Sequence, residues 1–267
     1  MLSKIRTFIW AVFLNLWIWQ FRTDFGKFAN KRLKGMCYHV SQITEPKNLA
    51  RKLSKQLKVN YKEGQFKPRY HLNGFDQPLV AVVPIADPDN LRFFRWKLIP
   101  EHVIDPKAFK TNTLNARSED LLQKSSYRNY WQNRCLVVVD GFFEPHVVDP
   151  KKPSQSYYIR NFENEPLTLG GIYSVYQGKG TFAILTTEAN DQMKRVHNEG
   201  QRMPVILDNR HRDAWLSPEL GLDEMMALCK PYDQDLMDFR TIDGVFNSRA
   251  NTDLPEAIMP RVEDSMI

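Results

Sequence analysis

The 267-residue sequence predicts an α+β fold, a single domain with a mostly antiparallel β core and peripheral helices. Two patterns carry this expectation. Apolar, β-rich runs follow one another without the strand–helix alternation of a parallel sheet. From Cys37 onward Pro and Gly are scattered, and no linker, repeat or low-complexity segment divides the chain. At 42% hydrophobic residues the chain can bury a substantial core.

The elements follow from local pattern. Leu49, Leu53 and Leu57 stand four apart and predict a helix over 47–58. Leu79–Pro84 reads as a short buried strand. Ser118 is placed to cap a helix running through Leu121 and Leu122 toward Trp131. Cys135–Val139 is an apolar β run that ends at a turn or bulge signal, Asp140-Gly141. Tyr157–Arg160, Leu167–Tyr176 and Thr181–Thr187 read as successive antiparallel strands. Asn190 can cap a helix to Val196, followed by a short strand, Val205–Leu207, and a helix, Leu222–Lys230. The polar, Pro-containing stretch 251–267 reads as a loose tail, so the domain is expected over 37–250.

Charge is unevenly placed. The formal net charge is +6, and residues 1–36 alone hold seven Lys/Arg and one Asp. The remainder carries 30 basic and 30 acidic residues and is neutral overall. A nucleic-acid surface on the domain must therefore come from local clustering. The three cysteines, Cys37, Cys135 and Cys229, include no C-x-x-C pair, which argues for a reducing compartment and against a disulfide framework. Cys37-Tyr38-His39 is too closely spaced for a zinc site, and neither a metal nor a cofactor is expected.

The first 36 residues are unlike the rest. Residues 8–19 are apolar except for Asn15, yet spanning a bilayer takes about 20 residues. Basic flanks are present, but no small-residue cleavage site follows. Three readings fit: a membrane-surface or marginal transmembrane anchor, a propeptide cut before Cys37, or a mis-assigned start with translation beginning at Met36. The last is the simplest way to give Cys37 a free amine. An N-terminal Cys carries an amine and a thiol on one residue, and together they can close a five-membered ring on an aldehyde. A free α-amine has a pKa of about 7.7–8.0, far below the roughly 10.4 of Lys, so far more of it is neutral and reactive at pH 7.

Other residues could carry chemistry. Glu144 ends an apolar strand in Asp-Gly-Phe-Phe-Glu; desolvation there would raise its pKa and suit a general acid, against the plainer reading of a solvated loop acid. His197 could shuttle a proton or be an ordinary loop His. Asn115 and Arg117 could orient a substrate and hold a phosphate. Trp96 could stack on a base, though a core Trp is as good a reading. His39, His71, His102, His146 and His211 show no partner pattern.

Taken together, the motifs resemble the SOS-response-associated peptidase family, also called abasic-site processing proteins. The resemblance spans Met36 to about Leu216. It rests on Met36-Cys37, Trp96-Lys97-Leu98-Ile99-Pro100, Asn115-Ala116-Arg117-Ser118-Glu119, Arg134-Cys135-Leu136 leading to Gly141-Phe142-Phe143-Glu144, Thr186-Thr187-Glu188-Ala189-Asn190, and His197 ahead of Arg202-Met203-Pro204, in the family's order. It implies a sensor of abasic sites in single-stranded DNA, cytoplasmic and nucleoid-associated, or membrane-tethered if residues 8–19 are an anchor. Cys37, freed at its N-terminus by self-processing, would form a thiazolidine crosslink with the ring-opened sugar. Glu144 would protonate the ring oxygen, His197 would assist proton transfer, and Asn115 would hold the amine and sugar in register. Arg117, Arg202 and Trp96 would contact phosphates and bases. This chain departs from the family at Tyr38-His39, where Gly-Arg is usual, and at His102, where a second Trp is usual. Its His197-to-Arg202 spacing is three residues longer. Two other functions remain open on sequence: a thiol peptidase with Cys37 as nucleophile and His197 as base, and a membrane-tethered single-strand binder without catalysis.

Overall fold

The computed structural model describes residues 37–53, 57–59, 67–246 and 251–261, which lie in one compact unit, Gly35–Ile267. In chain order the strands are β1 (His39–Gln42), β2 (Lys58–Val59), β3 (Arg69–Asn73), β4 (Leu79–Pro84), β5 (Asn90–Trp96), β6 (Asn115–Arg117), β7 (Arg134–Val139), β8 (Gly141–His146), β9 (Gln155–Asn161), β10 (Leu167–Tyr176), β11 (Lys179–Glu188), β12 (Arg202–Pro204) and β13 (Met237–Ile242). The helices are short: α1 (Pro46–Lys52), α2 (Asp191–Val196), α3 (Asn209–Trp215) and α4 (Leu222–Leu228). The expected α+β fold with a mostly antiparallel core is what the chain adopts.

Two sheets make the core. One runs β12-β11-β10-β7-β4-β5-β2, and an added parallel pairing of β5 with β11 (Arg95 opposite Thr181, Trp96 opposite Phe182) curls it into a barrel-like sheet. The other is antiparallel, in the order β13-β9-β8-β1-β3. Strand β7 is buried along its whole length because both its faces are covered. Cys135, Val137 and Val139 join the cluster shared with Val40, Phe142 and Ile159 of the antiparallel sheet. Leu136 and Val138 join the cluster of Leu49, Trp215 and Met225 from α1, α3 and α4. This is why its sequence is continuously apolar rather than alternating.

Asp140-Gly141 carries the chain from one sheet to the other. The Asp140 carboxylate accepts from the backbone N–H groups of Ile43 and Thr44 and from the Thr44 hydroxyl, tying the end of β1 to the corner. Gly141 is required by packing. A Cβ there would lie 2.5 Å from the Tyr158 ring, which is fixed by a 2.9 Å hydrogen bond between its hydroxyl and Ser41. The β10–β11 hairpin closes on Gln177 and Gly178, both at positive φ (48° and 73°), as a two-residue turn of mirror-image type requires.

Several elements depart from expectation. The first helix stops at Lys52, and Lys58–Val59 pairs in parallel with β5 instead of continuing it. Ser118 opens only a 3-10 turn (Ser118–Asp120). Beyond it Tyr127 donates to the Asn112 and Asn115 carbonyls, and Tyr130 accepts from the Glu101 N–H. Those two anchors hold the segment in turns rather than as a helix. The strand expected at Val205–Leu207 is shifted to Arg202–Pro204. Val205 bridges instead, donating to the Leu185 carbonyl while its own carbonyl accepts from Gly170. Asn190 does cap α2, accepting from the Met193 N–H.

The expected loose tail is also corrected over residues 251–261. Asp253 accepts from the N–H groups of Tyr70 (2.7 Å) and His71 (3.1 Å), Pro255–Ile258 forms a 3-10 turn, and Pro260 bridges to Ile242. Residues 262–267 lie outside the described residues, as does the apolar run 8–19. No helix of the described residues is long and apolar enough to cross a membrane. Replacing Gly141 by Ala is expected to destabilise the fold by about 1–3 kcal/mol through overpacking; urea denaturation at neutral pH checks this.

Candidate active site

Cys37, Asn115, Glu144 and His197 come from four elements and are all buried. Cys37 stands two residues before the start of β1. The β1–β8 register (His39 opposite Phe143, Val40 opposite Phe142), carried one step, sets Tyr38 opposite Glu144. Asn115 is held beside them because β6 pairs with β11, Asn115 opposite Ile184. Its amide Nδ2 donates to the Cys37 carbonyl at 2.8 Å, and its own carbonyl accepts from the Tyr127 hydroxyl at 2.9 Å. His197 ends α2. Its Nδ1 lies 3.1 Å from the Arg202 carbonyl, which can only accept, so the neutral ring carries its proton on Nδ1 and leaves Nε2 as the basic nitrogen. The same Nδ1 stands 3.8 Å from Glu144 Oε2.

The electrostatics are set by burial. Desolvation raises the Glu144 carboxyl to about 7, with His197 opposing that rise. The Cys37 thiol is pushed well above its ordinary value, first by burial and then by the charge of Glu144. Its Sγ donates to the His39 carbonyl at 3.6 Å and makes no hydrogen bond to His197. Two buried acceptors of the cluster, Asn115 Oδ1 and Glu144 Oε1, have no hydrogen-bond partner. Buried acceptors left without a partner mark where a ligand's donors fit. Together the group can supply an acid that is half-protonated near neutrality, a basic imidazole nitrogen, and an amide that grips the Cys37 backbone.

The residues expected to touch DNA fare differently. Trp96 is a core residue, fully buried and stacked on Phe182 (6.1 Å between centroids, 12° between planes), with its indole N–H on the Leu114 carbonyl at 2.8 Å. It presents no face to a base. Arg202 is held by Glu119 through two bonds, 2.7 and 2.8 Å, and by the Thr186 carbonyl at 2.8 Å. The same residue's backbone carbonyl holds His197, and its Nε is left without a partner. Arg117 is exposed, with Glu119 and Asp120 at 3.9 and 3.6 Å. The longer His197–Arg202 loop is pinned at both ends. Asn198 exchanges two hydrogen bonds with the Val147 backbone, and Gln201, at φ 50°, donates to the His197 carbonyl.

Sequence reasoning missed Tyr127, Glu119 as the Arg202 clamp, and a histidine pair. His39 Nδ1 and His71 Nε2 are 2.9 Å apart with stacked rings, and His71 Nδ1 reaches Thr252 at 2.6 Å. Burial lowers both imidazoles, to about 3 and about 4. Thirty-two residues separate the pair, so no local pattern could have joined them.

The sequence profile of the SOS response associated peptidase (SRAP) family matches residues 36–248. The chain belongs to this family. It is 31% identical over 198 residues to the Bacillus subtilis protein "Abasic site processing protein YoaM", covering 72% of this chain and 85% of that one. It is 30% identical over 203 residues to "Abasic site processing protein YoqW" of the same organism, covering 73% and 88%. The fold is similar to a crystal structure of a protein from Bacteroides thetaiotaomicron, with a TM-score of 0.75 at 27% identity over 85% of this chain and all of that one. The match starts at Met36, one residue before Cys37.

Glu144 makes a pH prediction for this SRAP fold. Its unfolded carboxyl ionises near 4.5 and its folded one near 7, so the unfolded state gains charge first. Its contribution to stability therefore falls as pH rises from about 4.5 through about 7. Glu144→Gln should flatten that slope and be the more stable protein at pH 8, by up to a few kcal/mol; urea melts across this pH range read it.

Proposed function

We propose that this SRAP protein recognises abasic sites in single-stranded DNA and captures them covalently through Cys37 once that residue is N-terminal. The chemistry balances without a cofactor. Glu144 gives its proton to the sugar ring oxygen as the C–O bond of the ring breaks, and the anomeric hydroxyl gives its proton to His197 as it becomes the aldehyde oxygen. The Cys37 amine adds to the aldehyde carbon and water leaves, forming an imine. The thiol then adds across the C=N bond, sulfur to carbon and its proton to nitrogen, closing a thiazolidine. His197 moves protons in these steps, and Asn115 fixes the Cys37 backbone against the sugar. Hydrolysis of the Met36–Cys37 bond, in the full chain or in one initiated at Met36, frees the amine.

The observation that carries this reading is a buried acid raised to about 7 beside a cysteine whose backbone, not its sulfur, is gripped. A carboxyl near neutrality suits general-acid work. The names of the Bacillus relatives, which speak of abasic-site processing, point the same way. The second reading, a thiol peptidase acting on other proteins, calls for a thiolate stabilised by a neighbouring imidazolium. Cys37 has the opposite surroundings, since burial and a carboxyl both disfavour its anion.

Intact mass after mixing with single-stranded DNA carrying one abasic site tests the proposal. The protein beginning at Met36 should gain the mass of the DNA less one water for each captured site. Cys37→Ser should abolish the stable adduct, and Glu144→Gln should slow its formation about 10²–10⁴-fold, the range for a lost general acid. No adduct from a protein shown to begin at Cys37 overturns the reading and favours the peptidase.

A further inference from the structure

Tyr38 occupies the position at which this chain departs from the usual family glycine, beside Cys37 at the edge of the buried cluster. Its ring is half-buried, and three neighbours fix it. The β1–β8 register sets it across from Glu144 on the same face of the strand pair. The Gly74 N–H donates to the Tyr38 carbonyl at 2.8 Å, and a Cβ at Gly74 would lie 3.2 Å from that oxygen, so the turn that follows β3 packs close. Phe75 in that turn stands against the Tyr38 ring, 4.8 Å between centroids and 51° between planes. Asn112, three residues before β6, reaches the phenol at 3.2 Å.

The bond from Asn112 has a direction. Asn112 Oδ1 is taken by the Leu114 N–H at 3.2 Å, so Nδ2 faces the phenol and the phenol oxygen accepts. The phenolic proton is left unused: among the described residues Tyr38 donates to no acceptor. Inside the cluster the reverse holds, since Asn115 Oδ1 and Glu144 Oε1 are acceptors without donors. The Tyr127 hydroxyl ties the two sides together, donating to the Asn112 and Asn115 carbonyls at 3.4 and 2.9 Å. Burial raises the Tyr38 phenol first, the Asn112 bond opposes that rise, and the charges of Glu144 and then Cys37 add to it. The phenol therefore keeps its proton at neutral pH, within electrostatic reach of the acid and the nucleophile.

An unused donor at the edge of a site and unused acceptors inside it suit a group that both accepts and donates. A hydroxyl does both, and the ring-closed abasic sugar carries one at its anomeric carbon. We propose that the Tyr38 phenol donates to that oxygen, first as the anomeric hydroxyl and then as the aldehyde oxygen, and acts as a catalytic acid when the Cys37 amine adds. This deepens the proposed function and rests on it for the identity of the sugar. As the C–N bond forms, the π pair of the C=O bond moves to oxygen, and oxygen takes the phenol's proton. The phenolate then takes a proton from the new, positively charged nitrogen. The carbinolamine is left neutral and Tyr38 is restored. Glu144 has by then given its proton to the ring oxygen, and the phenol supplies the next one.

Two measurements test this. The first is single-turnover adduct formation by protein whose mass shows it to begin at Cys37, over a range of concentrations of a single strand carrying one abasic site. Tyr38→Phe keeps the ring against Phe75 and removes only the hydroxyl, so it should melt with the wild type. Its maximal rate constant should fall about 10–100-fold, as for a lost hydrogen bond to a charged oxygen. Its half-saturating concentration should rise by no more than about 2–10-fold, the worth of a neutral hydrogen bond. A packing role would move the melting temperature instead, and a strand contact alone would move only the half-saturating concentration. The second measurement uses Cys37→Ser, which cannot close the thiazolidine. Fluorescence anisotropy compares its binding of a strand with an abasic site and of the same strand with a tetrahydrofuran residue, which lacks the anomeric hydroxyl. The abasic strand should bind about 2–10-fold more tightly, and adding Tyr38→Phe should remove that preference. A Tyr38→Phe protein with the wild-type maximal rate overturns the proposal and leaves covalent capture standing. No adduct from the wild type, with a Tyr38-dependent preference in the second measurement, overturns capture and leaves the Tyr38 contact standing; absence of both overturns both.

Discussion

The structure turns on the corner at Asp140-Gly141. Here the chain leaves the barrel-like sheet as β7 and enters the antiparallel sheet as β8 within two residues. The Asp140 carboxylate holds the end of β1 to the corner, the Asp140 N–H donates to the Ser41 carbonyl, and Gln42 reaches the Val138 carbonyl at 3.0 Å. β1 therefore cannot slide against β8. A one-residue slip would turn every side chain to the other face, removing Glu144 from the cluster and Cys37 from Asn115. The site's geometry is a consequence of how the two sheets are joined.

The corner also explains how a buried acid is tolerated. Glu144 and Asn115 each leave an acceptor unbonded, at a cost of about 1–3 kcal/mol for a buried group. Glu144 shares its strand face with Phe142, which belongs to the core cluster joined by Cys135, Val137 and Val139 of β7. A site on a loop could relax and hydrate its carboxyl, lowering its pKa toward 4.5. On a strand inside the core it stays dry, and its proton is retained near pH 7. The destabilisation and the acidity are the same physical fact, burial without full pairing.

Much of this was legible in the sequence, and the failures have physical reasons. The strands β4 and β7 carry near-continuous apolar runs and β10 and β11 are buried over most of their length, and that signal is strong. The Asn190 cap is local chemistry and reads directly. The segment after Ser118 misled because its apolar residues serve as separate anchors, Tyr127 on the Asn115 carbonyl and Tyr130 on Glu101, rather than as one helix face. The final stretch looked loose because it is polar. It is nonetheless ordered by one carboxylate, Asp253, satisfying two N–H groups of β3. Of the site, the quartet Cys37, Asn115, Glu144 and His197 was visible through motif order. The place of Trp96 and Arg202 was not, since a buried indole bonded to Leu114 and an arginine clamped by Glu119 depend on partners many residues away.

Under the proposed capture, the surroundings of Cys37 bear on which of its two nucleophiles acts first. A thiol in a dry site facing a carboxyl is a poor anion, so its sulfur alone is a weak attacker at neutral pH. An α-amine starts from a pKa of about 7.7–8.0 and needs no neighbour to be partly neutral. Once an imine has formed, the sulfur need not ionise in advance, because ring closure delivers its proton to the imine nitrogen in the same addition. The thiol is then intramolecular, and proximity replaces thiolate concentration as the source of rate. The same burial that disfavours the Cys37 thiolate is thus compatible with thiazolidine closure, and in the proposed capture it keeps the sulfur from reacting before the amine has bound its aldehyde. In the proposed capture, the order of events, amine first and sulfur second, follows from the site's dryness.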